Sequence, residues 1–78
     1  MKFFGTLLTR GRAIARNVSV IVRAQGPRWH GELRLPKGIT ISEGNYELQL
    51  NDRRSGRILI DTVDEDTAYF NGDGDLKK

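Results

Sequence analysis

Three short runs inside residues 29–63 restrict what this chain can fold into more than any other feature. They read Trp29-His30-Gly31-Glu32-Leu33-Arg34-Leu35, then Tyr46-Glu47-Leu48-Gln49-Leu50, then Arg57-Ile58-Leu59-Ile60-Asp61-Thr62-Val63. In the first two, apolar residues alternate with polar ones. A strand sends successive side chains to opposite faces, so this period of two marks half-buried strands. The first run puts Trp29, Leu33 and Leu35 on one side, with Gly31 between them. Having no side chain, Gly31 lets the indole or a neighbouring backbone come close. In the third run Ile58 and Ile60 face inward, and Leu59 and Val63 on the other face suggest a central strand covered on both sides.

The remaining segments extend the same reading. Val18-Ser19-Val20-Ile21-Val22 is rich in β-branched residues, which fit a pleated surface; Asn17 before it suits a bulge or a turn. Residues 2–9 are ambiguous. Phe3, Phe4, Leu7 and Leu8 fit a helix face, but Gly5, Thr6, Thr9 and Gly11 are poor helix formers and no N-cap precedes them, which favours a strand. Arg10-Gly11-Arg12, Gln25-Gly26-Pro27, Pro36-Lys37-Gly38 and Ser42-Glu43-Gly44-Asn45 punctuate the chain as turns. Ile39 and Ile41 suggest a short extended piece. Asn51-Asp52-Arg53-Arg54-Ser55-Gly56 reads as a hairpin loop, with Gly56 available for a positive φ. Asp64-Glu65-Asp66 is an acidic turn. Thr67-Ala68-Tyr69-Phe70 is a last short strand, and residues 72–78 read as a frayed tail.

These segments amount to five or six short strands with tight turns between them. No connection is long enough for a parallel crossover. The expectation is one domain over residues 1–78, all-β: a small antiparallel barrel or a strongly curled meander sheet, closed or self-paired to avoid open edges. The expected core is Trp29, Leu33, Leu35, Tyr46, Leu48, Leu50, Ile58, Ile60 and Phe70. With 78 residues the stability margin is about 4–12 kcal/mol. No cysteine is present, which excludes disulfides, thiolate metal sites and cysteine nucleophiles and suits a reducing compartment. The apolar start stops at Thr9-Arg10, short of a signal-peptide core, and no stretch reaches the length of a membrane span. The expected location is the cytoplasm, in soluble form.

Charge is divided along the chain. Residues 1–39 hold eight Lys or Arg against the single acid Glu32; residues 40–78 hold nine acids against five basic residues. A basic half can attract phosphates, or be neutralised by the acidic half with which it shares a core.

Candidate chemistry is sparse. His30, the one histidine, sits off the inward face of its strand without a recognisable partner. Ser19, Ser42 and Ser55 lie in no nucleophile context, and a domain this small lacks a cleft to dry an acid pair such as Asp61 and Asp64. Asn71-Gly72-Asp73-Gly74-Asp75 has the alternating oxygens of a calcium-loop opening. The sixth position is Leu76 rather than glycine and the closing acid is missing, so a solvated turn is the better account. Arg12-Ala13-Ile14-Ala15-Arg16 resembles the first half of the motif of PilZ domains, barrels that bind cyclic di-GMP. In the nearest candidate for the second half, Asp52-Arg53-Arg54-Ser55-Gly56, the serine comes one place late and the glycine follows it directly, so the resemblance stops at a few residues.

The expectation is therefore no enzyme, no catalytic or metal residues, no cofactor, no small-molecule substrate and no membrane. The chain reads as a non-enzymatic protein-interaction or structural module that self-associates. The alternative is binding of single-stranded nucleic acid, RNA or DNA, through Arg12, Arg16, Arg23, Arg28 and Arg34.

Overall fold

A computed structural model describes residues 1–77. Every regular element is a strand: β1 (Lys2–Thr9), β2 (Arg12–Gln25), β3 (Arg28–Arg34), β4 (Gly44–Leu50), β5 (Ser55–Asp64) and β6 (Thr67–Lys77). They close into an antiparallel barrel in the order β1-β2-β3-β6-β5-β4, with β4 pairing back onto β1. The small barrel expected from the alternating runs is the fold, and residues 2–9 form a strand. No helix among the described residues is long and apolar enough to cross a membrane.

The pairing differs from a simple meander. β1-β2-β3 and β4-β5-β6 are each meanders, joined at two seams, β3–β6 and β1–β4. Residues 35–43 therefore run across one end of the barrel to reach β4. They form no strand, so the extended piece expected at Ile39 and Ile41 is absent. Leu35 is nonetheless buried, its N–H donating to the Asp66 carbonyl at 2.6 Å.

Turns follow their residues closely. Arg10 and Gly11, both at positive φ, link Thr9 to its partner Arg12 in a two-residue hairpin whose twist suits the strands it joins. Asn17, at φ 56°, marks a bulge: Arg16 and Asn17 together oppose the single residue Thr6, which lets β2 run unbroken from Arg12. In the loop after β4 the positive φ falls on Arg53, not on Gly56 as expected. That loop is held by Asp52, which accepts from the Arg54 backbone N–H at 3.1 Å and pairs with its guanidinium at 2.7 Å.

The interior contains every expected core residue except Tyr46, with Leu7, Ala15, Val18, Val20, Val22 and Ala68 added. Tyr46 alone among the expected set is half-buried. Its hydroxyl donates to the Ser42 carbonyl at 2.7 Å. Trp29 closes the other end. Its indole lies against Gly72 so closely that a Cβ there would overlap the ring, and a Cβ on Gly56 would come within 2.9 Å of it. The ring meets Phe70 edge-on at 5.9 Å, and Nε1 donates to the Gly74 carbonyl at 2.8 Å. At Gly31, the backbone of Ile21 and the ring of Phe70 take the space rather than the indole.

Two expectations fail at β5 and β6. A bulge between Ile60 and Thr62 reverses the facing of the end of β5, so Val63 pairs with Ala68 and packs on the core while Leu59 stays 43% exposed. β5 is not covered on its outer face. The tail expected to fray from residue 72 is strand through Lys77, because Gly72 underlies the indole and Gly74, at φ 87°, turns its carbonyl to it. Asn71–Asp75 is thus part of β6 and not a solvated turn; the last residue of the expected tail, Lys78, lies outside the described residues.

Candidate binding site on the barrel wall

The strand order converts the uneven charge along the chain into a divided surface. Residues 2–34 build the continuous wall β1-β2-β3 and hold seven Lys or Arg with one acid; residues 44–77 build the wall β4-β5-β6 and hold eight acids with four basic residues. The two walls do not neutralise each other. Among the described residues the ion pairs are Arg23 with Glu32 at 3.5 Å and Arg54 with Asp52, each within one wall. Inward-facing residues share the core while the charged ones point away from the axis on opposite sides, so neither of these pairs joins one wall to the other.

All five candidate arginines are exposed, as outward positions of β2 and β3 require. They do not form one cluster. Arg12 begins β2 beside Thr9 and Arg28 begins β3 beside Gln25, which places them at opposite ends of the barrel. Arg16 stands on the Asn17 bulge. Arg23, opposite His30, is occupied by Glu32. Arg34, opposite Ser19, has no ion-pair partner among the described residues and lines a groove of about 230 Å³ with Lys2, Ser19, Ile21, Glu32 and Thr67. Lys2 is equally without an ion-pair partner among them. The strand ladder holds it in place, since the Val22 N–H donates to the Met1 carbonyl at 2.9 Å just beyond.

The outer wall also carries exposed apolar groups. Phe4, opposite Ser19, is 49% exposed, and Tyr69, opposite Glu32, is 41% exposed. Tyr69 and Leu59 share the outer face of β6 and β5, with the Asn71 amide donating to the Asp61 carboxylate at 3.0 Å across the diagonal between them. Alternation along each strand carried a signal for them: Phe4, Leu59 and Tyr69 all fall between inward-facing positions.

The described residues contain no group of three His, Cys, Asp or Glu placed to hold a metal ion. No family model, curated protein or solved structure matches the chain.

Proposed function

We propose that this chain is a non-catalytic interaction module that pairs with a second copy of itself across the β3–β6 seam. The observation that carries the reading is the charge boundary at that seam. Basic β3 lies beside acidic β6 and β5, and Tyr69 and Leu59 stand exposed close to the join. A patch that is basic on one side and acidic on the other is complementary to itself under a two-fold rotation. Each copy then offers its β3 edge, with Arg28 and Arg34, to the partner's Asp64 and Asp73 side, and the apolar pair is covered at the centre. Such an interface closes at two copies and does not propagate into fibres. A standard interface buries about 800 Å² per partner, roughly one-seventh of this barrel's 5465 Å² surface.

Light scattering over a concentration series tests this. The expected mass is twice the 8.8 kDa protomer, falling toward one protomer in high salt as the charge pairs are screened. Replacing both apolar residues (Leu59→Gln with Tyr69→Gln) should give a folded monomer at every concentration. A wild-type chain that stays monomeric at millimolar concentration in low salt would sink the proposal.

A further inference from the structure

A second site lies on the basic wall between β1 and the seam, which it meets at Arg34 and Thr67. We infer that it binds single-stranded nucleic acid, one nucleotide at a time in a built pocket: phosphate in the Lys2–Arg34 groove, base against Phe4, base edge over the polar hollow beyond it.

The phosphate position follows from the groove. Lys2 and Arg34 face it from β1 and β3, and Ser19 adds a hydroxyl donor; the Thr67 hydroxyl at the rim already donates to the Asp66 carboxylate at 3.3 Å. Glu32, the one acid of this wall, also lines the groove, but its carboxylate is engaged by Arg23. Arg23 thus serves the site indirectly, as a positioning residue that offsets the Glu32 charge, while Asp66 stands beyond Thr67 at the far rim. At about 230 Å³ the groove is smaller than the ~300–1,000 Å³ typical of enclosed small-molecule sites. It suits one segment of a backbone that continues past it.

The stacking position is Phe4. Phe4 keeps about half of its surface open to water on the outer face of β1, and a base can cover that half; such stacking tolerates any base because each has a π-face. Phe4 is opposite Ser19, which lines the groove, so platform and phosphate site are neighbours across β1 and β2.

The third part is a hollow of about 160 Å³ lined by Phe4, Thr6, Asn17, Gln49 and Asn51. Its lining includes three amide-bearing residues and a threonine, and no charged residue. Amides offer both donors and acceptors, which is what the edge of an unpaired base presents. The bulge that brings Asn17 there also raises Arg16 beside it, a further cation for the next phosphate. Duplex would not fit this arrangement, since paired bases hide both the face and the edge the site addresses. Thus Arg34 and Arg16 contact the strand, Arg23 positions Glu32, and Arg12 and Arg28 lie outside.

The test is fluorescence anisotropy with labelled mixed-sequence 12-mers, as single-stranded DNA, single-stranded RNA and duplex. With two phosphates met, one by Lys2 with Arg34 and the next by Arg16, single-strand affinity should fall about seven-fold between 50 and 200 mM salt. Lys2→Glu with Arg34→Glu should abolish binding. Phe4→Ala should weaken it about five-fold or more, and Glu32→Gln should tighten it. Phe4 is on the surface, so that variant should keep the wild-type melting midpoint. Absence of binding at 50 mM salt, duplex bound as tightly as single strand, or an unaltered affinity in Phe4→Ala would each overturn the inference. Equal binding of DNA and RNA supports base and phosphate contacts; a preference for RNA supports them with an added sugar hydroxyl contact. The Leu59→Gln/Tyr69→Gln variant frees Arg34 from pairing and should bind at least as tightly as wild type, so failure of pairing and failure of nucleic-acid binding are read separately.

Discussion

The two ends of the barrel meet the same demand in different ways. Each has an aromatic at an inward strand position, Trp29 on β3 and Tyr46 on β4. Trp29 reaches across β6 and β5 and closes its end, because Gly72 and Gly56 leave room for the whole ring and the Gly74 carbonyl receives its N–H. Tyr46 sits opposite Ile58, whose side chain fills the interior. The phenol therefore leans to the rim, and residues 35–43 cover what it leaves. A hollow of about 430 Å³ lined in part by Ile14, Ile39, Ile41 and Tyr46 remains under that loop. An inward aromatic seals a barrel end only where its neighbours lack side chains; elsewhere the chain must spend a loop on the task.

The most damaging substitution should be Trp29→Ala. It removes a buried indole that rigid strand backbone cannot collapse around, at a cost of about 3–5 kcal/mol. Against a total of about 4–12 kcal/mol for a chain this size, urea melts should show the variant largely unfolded or close to it. Gly72→Ala comes next, at about 3 kcal/mol, because the new methyl overlaps a ring already held by Phe70, Gly56 and Gly74. The pair sharpens the comparison further. In a Trp29→Ala background the methyl of Gly72→Ala should be harmless, giving a coupling energy of about the full cost of the single change. Additive costs would mean that Gly72 is needed for its backbone and not for the space it yields.

Much of this could be read from the sequence. Alternation alone gave the inward faces of β3 and β4, because a period of two is a local property of extended chain. The strand at residues 2–9 was legible from its poor helix formers. What could not be read depends on partners distant in the chain. Gly72 and Gly74 look like turn residues until Trp29 is known to lie over them. The same ignorance made the end of β6 look like a tail. Val63 looked outward because a bulge shifts the alternation without leaving a residue type that betrays it; Asn17, tolerant of positive φ, did betray the other. Of the candidate site, the arginines were visible but not their arrangement. That Arg34 meets Lys2 while Arg23 is taken by Glu32 follows from the register of β2 on β3 and the pairing of β1 with β2. Phe4 was read beside Phe3 on one possible helix face, and only the facing of β1 separates them.

The smallest expected effect belongs to the Tyr46 end, and it is the one that best separates the two ends. Tyr46→Phe keeps the ring and removes only the hydroxyl, which donates to the Ser42 carbonyl in an exposed position. Water replaces that partner readily, so the loss should be about 0.5 kcal/mol, lowering the melting midpoint by about 3 °C. The change should appear mainly in the loop that the hydroxyl tethers. Hydrogen exchange at the Ile39 N–H, bonded to the Pro36 carbonyl at 3.1 Å, should accelerate while the β3 and β6 amides around Trp29 keep their protection. A midpoint drop as large as that of Gly72→Ala would mean that the phenol closes its end as rigidly as the indole does, and that the loop over residues 35–43 is a passenger and not the seal.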